Sequence, residues 1–220
     1  MPVVLALFEL DHTLIPFDSG SLFTRFLAER GAVDAAFQEG YLAHCRRYAE
    51  GTVDMVQMHR FTVGALSRHP REAMAHWLAE FESMLAPHVP DAALRLVQEH
   101  QDAGHLCALV TATTRFVAEP FAHVLGLGEV LATEPEVDPA GCYTGEIIGR
   151  PCFREHKVDH VTAWLAPRGL ELERVNRSWF YSDSFNDLAL LQAVTDPVAV
   201  DPDPRLRAIA TERGWPVRSL

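Results

Sequence analysis

Polar side chains able to bind a metal ion or a phosphate group occur at four points in this sequence. Glu9 and Asp11 end the apolar stretch "VVLALFELD", and Thr111 follows "HLCALV". Lys157 begins a helical pattern, and two further acids, Asp183 and Asp187, follow "RSWFYS". In open α/β sheets, ligands bind at the carboxyl ends of the strands. We therefore expect these groups to meet at one edge of a sheet.

The types of these groups indicate one kind of chemistry. Carboxylates from two strand ends supply hard oxygen ligands, which suit Mg²⁺ together with an oxygen of a substrate phosphate. Lys157 places a positive charge against that phosphate, and Thr111 adds a hydroxyl donor. The backbone N–H groups after Thr111 lie just before a helix, where anions are favoured. The set predicts a phosphoryl-transfer site, in which stabilisation of charge does most of the catalytic work.

The periodicity of the chain predicts the elements that hold these groups. "VVLALFEL" has the continuous apolar character of a strand buried on both faces. After residue 90, strand patterns alternate with helices of 10–15 residues, which indicates βαβ units and a parallel sheet. Residues 17–88 show only helical patterns, several ending in Gly or Pro. We predict an α/β fold with a Rossmann-like core (1–16 and 89–220) and an all-helical insertion (17–88) that covers one end of the sheet.

The composition limits the partners. A net charge of −11 over 220 residues argues against nucleic acid and against an anionic membrane, because both favour a basic face. The apolar run near the start is too short to span a membrane and lacks a preceding basic residue, so we expect a cytoplasmic protein. The four cysteines show no metal-binding spacing and are expected to be ordinary thiols. We expect a monomer or a homodimer.

Four motifs in order carry a family resemblance: "FELDHTL", "LVTAT", "REHK" and "YSDSFNDLALL". They resemble the motifs of the haloacid dehalogenase superfamily of phosphohydrolases, and the helical insertion resembles its C1-type cap. The segments "TATTRFVAEP", "ATEPE", "YTGEI" and "FREHKVDHVTAWLA" are similar to bacterial subfamily IB hydrolases, which include histidinol-phosphate phosphatases. The resemblance spans essentially the whole chain. It implies a Mg²⁺-dependent phosphatase acting on a small phosphorylated metabolite.

The resemblance also implies residue roles. The first family motif is D-x-D-x-T, in which the first aspartate attacks phosphorus and the second acts as general acid and then base. These roles fall on position 9 and on Asp11, with Thr13 as the motif threonine. Phosphate binding falls on Thr111 and the Ala112 amide, and neutralisation of charge falls on Lys157. The implied metal site comprises Glu9, Asp11, Asp183 and Asp187.

Glu9 departs from the family pattern, which has aspartate at this position. The additional methylene moves the carboxylate by about 1–1.5 Å, and a displacement of roughly 1 Å can cost ~10²-fold in rate. Three interpretations stay open. Glu9 is a poor nucleophile in an impaired enzyme, or it belongs to a protein that binds a ligand without turnover, or a shifted backbone lets it react.

Two residues of the insertion are candidates for substrate binding. Asp18 falls where phosphoserine phosphatases carry an acid for the substrate amine, and Arg60 falls near their arginine for the substrate carboxylate. Phosphoserine and histidinol phosphate differ by that carboxylate, so both are candidate substrates. The aromatic and methionine side chains of the insertion recur at helical spacing and are expected to form its core.

The sequence gives weaker support to a role for the other histidines and to two alternative functions. His156 and His160 are spaced like metal ligands on a helix but lack the glutamate of a zinc protease motif, so they are expected at the surface. We assign no role to His12. The alternatives are a non-catalytic phosphate-binding protein, which only Glu9 favours, and a halide-releasing dehalogenase. The acids suited to Mg²⁺ argue against the dehalogenase.

Overall fold

The computed structural model describes residues 3–220, which form a seven-stranded sheet of order β4-β3-β2-β1-β5-β6-β7. The strands are β1 (Val4–Phe8), β2 (Leu106–Thr114), β3 (Val130–Val137), β4 (Tyr143–Ile148), β5 (Arg177–Ser182), β6 (Asp196–Val200) and β7 (Val217–Arg218). Neighbouring strands are parallel except β3 and β4, which form an antiparallel hairpin. The mostly parallel sheet confirms the predicted Rossmann-like α/β fold.

The central strand β1 aligns the strand ends on which the polar residues lie. Its side chains from Leu5 to Phe8 are fully buried, as the continuous apolar pattern predicts. Phe8 pairs with Leu109 of β2 and with Tyr181 of β5. The Glu9 N–H continues this pairing by donating to the Tyr181 carbonyl at 2.9 Å. The ends of β1, β2 and β5 therefore reach the same edge of the sheet.

Nine α-helices accompany the sheet in residues 3–220. They are α1 (Ser19–Glu29), α2 (Ala35–Glu50), α3 (Met55–Leu66), α4 (Arg71–Ser83), α5 (Asp91–Asp102), α6 (Arg115–Val124), α7 (His156–Leu165), α8 (Leu188–Ala193) and α9 (Pro204–Arg213). Aspartates cap the N-termini of α1, α2 and α3. The side chains of Asp18, Asp34 and Asp54 accept hydrogen bonds from backbone N–H groups that would otherwise lack a partner. Gly51 ends α2 with a φ of 74°, which glycine adopts without strain.

Helices α1 to α4 lie between β1 and α5 in the chain, and this stretch contains no strand. They pack on the rest of the molecule through aromatic contacts, including Phe23 against Phe116 and Phe81 against Phe121. The buried cluster that contains these rings also contains Phe8 of the central strand. The apolar core is therefore continuous from the helices to the sheet, and the division into core and cap domains stays a prediction.

Two further sequence predictions concern cysteines and membrane spans. All four cysteines are unpaired thiols, as expected. Among residues 3–220, the structure has no helix of the length and apolarity needed to cross a membrane.

Candidate active site

Glu9 lies just beyond β1, is 5% exposed and uses both carboxylate oxygens. Its Oε1 accepts a hydrogen bond from Thr111 Oγ1 at 2.8 Å, and its Oε2 contacts Lys157 Nζ. Burial raises the pKa of Glu9 to about 7, although the charge of Lys157 opposes this shift. Glu9 therefore contacts both Thr111 and Lys157, the two side chains that the sequence predicts to bind the substrate phosphate.

Lys157 lies in the first turn of α7 and is fully buried between two carboxylates. It contacts Glu9, and its Nζ lies 2.6 Å from Asp187 Oδ1. Burial alone lowers the pKa of a lysine, but Asp187 and Glu9 outweigh that effect and hold the pKa of Lys157 well above its usual value. The lysine is therefore a fixed positive charge beneath the strand ends.

Asp11 is held in a turn after β1 by donors from two other elements. Its Oδ1 accepts from the Ser19 N–H at 2.7 Å, and its Oδ2 accepts from Thr113 Oγ1 at 2.8 Å. Burial, followed by the charge of Asp18, raises the pKa of Asp11 to about 7. His12 follows with a φ of 57°, so the chain turns sharply away from the strand at this point.

The two acids after β5 have different partners. Asp183 Oδ1 accepts from Thr13 Oγ1 at 3.0 Å, and burial, followed by the charges of Glu9 and Asp187, raises the pKa of Asp183 to about 8. Asp187 is fully buried, and its Oδ2 accepts from Ser182 Oγ at 2.7 Å. Asp187 is thus committed to the serine and to the lysine, whereas Asp183 lines the cavity described below.

Thr111 and Ala112 lie near the end of β2, where its register with β3 shifts between Val110 and Thr114. The Thr111 hydroxyl donates to Glu9 and accepts from the Thr113 N–H at 3.2 Å. The Ala112 carbonyl accepts from Thr133 Oγ1 at 3.0 Å. The irregular strand end directly precedes α6, so the predicted position of these residues before a helix is confirmed.

A cavity of about 540 Å³ opens between the strand ends and the helices α1 to α3. Its walls include Glu9, Asp11 and Asp183 from the sheet side. Asp18 also lines it, and the Asp18 Oδ1 accepts from the Ser21 N–H at 2.6 Å and from the Tyr41 hydroxyl at 3.0 Å. A small phosphorylated molecule fits a space of this size.

Arg60 is not brought to this cavity. Its side chain is half exposed and donates from Nε to Glu146 Oε2 of β4 at 2.8 Å. Arg60 is also not among the residues that line the cavity. The structure therefore separates Arg60 from the other predicted substrate-binding residues.

Several residues of the cavity wall were not singled out by the sequence. Tyr41, Tyr48 and His59 line it from α2 and α3. Burial raises the pKa of Tyr48 well above its usual value, and the nearby charge of Asp187 adds to this shift. Helical spacing indicates only which face of a helix is buried, so the sequence offers no signal that this face borders a cavity.

The side chains of His156 and His160 both have protein partners. His156 Nδ1 lies 3.0 Å from Asp159 Oδ2, and His160 Nε2 lies 3.0 Å from the Arg150 carbonyl. His12 lines the cavity but has no assigned role. The i, i+4 spacing of His156 and His160 therefore does not correspond to a shared ligand set.

The donor set fits Mg²⁺ in charge and in ligand type. The pKa values of Asp11 and Asp183 are raised to about 7 and about 8 because both carboxyl groups are buried near other acids, and a divalent cation would offset that repulsion. Within residues 3–220, no three His, Cys, Asp or Glu side chains form a ready-made metal cluster. Mg²⁺ does not require one, because it commonly takes one or two carboxylates with water and substrate phosphate.

Comparison with known families and proteins gives a consistent result. The family model of haloacid dehalogenase-like hydrolases matches residues 6–192 of this chain. The chain is 39% identical over 215 residues to a histidinol-phosphatase of Neisseria meningitidis, with 97% of each chain covered. It is 33% identical over 221 residues to a phosphoserine phosphatase of Mycobacterium tuberculosis, covering 98% of this chain and 70% of that protein.

Solved structures agree with this fold. A protein of unknown function from Bordetella pertussis has a TM-score of 0.91 at 44% identity, with 99% of both chains covered. A substrate-bound phosphoserine phosphatase has a TM-score of 0.69 at 19% identity, covering 100% of this chain and 93% of that one. The second likeness concerns the fold alone.

Proposed function

Because the chain belongs to the haloacid dehalogenase-like hydrolases and is a phosphatase of that family, we propose the following reaction for it. The chain hydrolyses a small phosphomonoester with Mg²⁺, through an acyl-phosphate on Glu9. The observation that carries this proposal is the buried group formed by Glu9, Thr111, Lys157 and Asp187 at the strand ends. A nucleophile, a hydroxyl donor and a fixed cation are adjacent there, with acids suited to Mg²⁺ beside them. Cytoplasmic location and a monomeric or dimeric state stay predictions from the sequence.

In the first step, a carboxylate oxygen of Glu9 attacks phosphorus, and the bond from phosphorus to the leaving oxygen breaks. The electron pair goes to the leaving oxygen, which takes the proton of Asp11. Asp11 and Glu9 both line the cavity, so Asp11 is placed to give a proton to the leaving oxygen. Lys157 holds a positive charge against the developing negative charge.

In the second step, ionised Asp11 removes a proton from water, and the water oxygen attacks phosphorus. The bond between phosphorus and Glu9 breaks, so phosphate leaves and the carboxylate is restored. Bound Mg²⁺ would supply a further positive charge toward the phosphate oxygens, with Glu9, Asp11 and Asp183 as the acids that would hold it and Asp187 in support through Lys157. The helices above the cavity would exclude bulk water.

Most charged side chains on the cavity wall are acids, although Arg205 also lines it, and this balance favours a substrate whose alcohol part carries a cationic group. Asp11, Asp18 and Asp183 line the cavity, and a cationic group beside them would favour their ionised forms, whereas Arg60 contacts Glu146 outside it. Asp18 would attract an amine or a protonated ring of the alcohol part. We therefore place histidinol phosphate ahead of phosphoserine as the substrate.

The second candidate function is phosphate or metabolite binding without turnover. It is favoured by the two contacts of Glu9, which occupy the Thr111 hydroxyl and the Lys157 ammonium group. A phosphate group must displace Glu9 from at least one of them before it can bind there.

The test is phosphate release from histidinol phosphate, phosphoserine and p-nitrophenyl phosphate, each with Mg²⁺ and with EDTA. We expect Mg²⁺-dependent release, fastest with histidinol phosphate. Binding of histidinol phosphate without any release in Mg²⁺ would favour the binding protein. Release that EDTA leaves unchanged would contradict the role of the metal.

A further inference from the structure

Tyr41 of α2 carries a hydroxyl group to the wall of the cavity, where it meets Asp18. The tyrosine is 6% exposed, and its hydroxyl donates a hydrogen bond to Asp18 Oδ1 at 3.0 Å. Both residues line the cavity. Asp18 is the N-cap of α1 and lies 23 positions earlier in the chain. This contact therefore joins α2 to the start of α1 at the place where a ligand would lie.

The two carboxylate oxygens of Asp18 have different surroundings. Oδ1 accepts from the Ser21 N–H at 2.6 Å as well as from the Tyr41 hydroxyl. Oδ2 accepts no hydrogen bond from residues 3–220, and it is not among the buried polar atoms of that range that lack a partner. Two donors from different helices therefore fix the carboxylate through Oδ1, while Oδ2 is accessible on a residue that lines the cavity.

The hydroxyl of Tyr41 is a permanent donor. Burial, followed by the charge of Asp18, raises the pKa of Tyr41 well above its usual value, so the hydroxyl keeps its proton near pH 7. A hydrogen bond to a charged acceptor is stronger than one between neutral groups. A carboxylate that is already held in place also loses less freedom when a ligand binds, which favours binding.

Gly20 makes room for this hydroxyl. A Cβ atom at Gly20 would lie 1.9 Å from the Tyr41 hydroxyl oxygen and 2.7 Å from Cζ. Gly20 is the second residue of α1 and has no positive φ, so its backbone conformation does not require glycine. Glycine destabilises a helix relative to alanine. The close approach of Tyr41 therefore accounts for glycine at this position.

We propose that Tyr41 is a positioning residue for substrate specificity, whose hydroxyl holds Asp18 so that Oδ2 accepts a hydrogen bond from an ammonium group of the substrate. This inference rests on the proposed function, in which Asp18 attracts a cationic group. It narrows the substrate class to phosphomonoesters of amino alcohols. Gly20 serves the same site by leaving the space that the tyrosine needs.

Two substitutions disturb the contact from opposite sides. Tyr41→Phe removes the hydroxyl and keeps the ring, whereas Gly20→Ala keeps the tyrosine but places a methyl group where its hydroxyl lies. Gly64→Ala is the matched control, because Gly64 also lies within a helix and a Cβ there has no neighbouring atom of residues 3–220 within 4 Å. Calorimetry in EDTA, where Mg²⁺-dependent turnover is prevented, measures binding of histidinol phosphate and of 3-(imidazol-4-yl)propyl phosphate, which lacks only the amine.

We expect Tyr41→Phe and Gly20→Ala each to weaken binding of histidinol phosphate by about 3- to 10-fold, the usual effect of one hydrogen bond. The analogue without the amine should bind the parent and all variants within about twofold, and Gly64→Ala should bind both ligands as the parent does. A purely structural role of Tyr41 would weaken both ligands alike.

Equal losses for the two ligands, an unchanged preference for the amine in Tyr41→Phe, or a parent without that preference would overturn the inference. Thermal unfolding of each variant identifies any loss of folding, and if Gly20→Ala does not fold, the preference of Tyr41→Phe decides alone. Selective binding of histidinol phosphate without phosphate release in Mg²⁺ would leave the role of Tyr41 intact and reject the hydrolase.

Discussion

Replacing Glu9 with aspartate should increase phosphatase activity. The shorter side chain withdraws the carboxylate by about 1–1.5 Å. The hydrogen bond from Thr111 Oγ1, now 2.8 Å long, would then stretch to about 4 Å and break. The hydroxyl would become available to phosphate, and the carboxylate would no longer extend into the space that phosphate needs.

The expected increase in kcat follows from the same displacement. A nucleophile misplaced by roughly 1 Å loses about 10²-fold in rate, which corresponds to about 2.7 kcal/mol of activation free energy. Glu9→Asp should therefore raise kcat about 10²-fold. It should also tighten binding of inorganic phosphate, because Thr111 no longer has to be released from the glutamate.

The assay follows p-nitrophenolate release from p-nitrophenyl phosphate in excess Mg²⁺, and calorimetry follows binding of inorganic phosphate. Glu9→Gln is the matched control, because it keeps the length of the side chain but removes its charge and nucleophile, and it should be inactive. Equal activity of the parent and the Glu9→Asp variant would show that the glutamate reaches phosphorus and would refute the geometric argument. Inactivity of a folded Glu9→Asp protein that binds phosphate would refute the nucleophilic role of position 9.

Three other predictions follow from the contacts described above. Lys157→Met should lower the free energy of unfolding by about 3–5 kcal/mol, because it leaves the buried carboxylates of Glu9 and Asp187 without their cation. Urea denaturation measures this loss, and a loss below about 1 kcal/mol would contradict the ion-pair assignment. Burial lowers the pKa of His59 to about 4 in the folded state, so its contribution to stability is present above the unfolded pKa and is lost as pH falls toward 4. The parent should therefore lose about 2 kcal/mol more than His59→Gln between pH 7 and pH 5, and parallel unfolding curves at the two pH values would reject this. Asp18→Asn should raise KM for histidinol phosphate about 10-fold, because the substrate loses a charged contact. Arg60→Ala should change KM less than twofold. Steady-state kinetics measure both values, and a larger effect of Arg60→Ala would place Arg60 in the substrate site.

The sequence alone predicted the elements whose local patterns are strong. The continuous apolar run of β1, the alternation after residue 90 and the helical stretch between them all correspond to the observed elements. Two elements near the end of the chain were not predicted. Strand β7 has only two residues, and α9 carries little apolar periodicity, so neither produces a clear local signal.

The order and types of the polar residues at the strand ends were also determined by the sequence, because parallel strands with buried faces place their carboxyl ends together. Only the tertiary structure decided how these residues pair. The hydrogen bond between Thr111 and Glu9 joins residues 102 positions apart, and no local pattern encodes it. On α3, successive residues are rotated by about 100°, so His59 lies at the cavity while its neighbour Arg60 contacts Glu146. The rotation of that helix against the sheet depends on packing over the whole core, and it therefore decides which side chains reach the substrate.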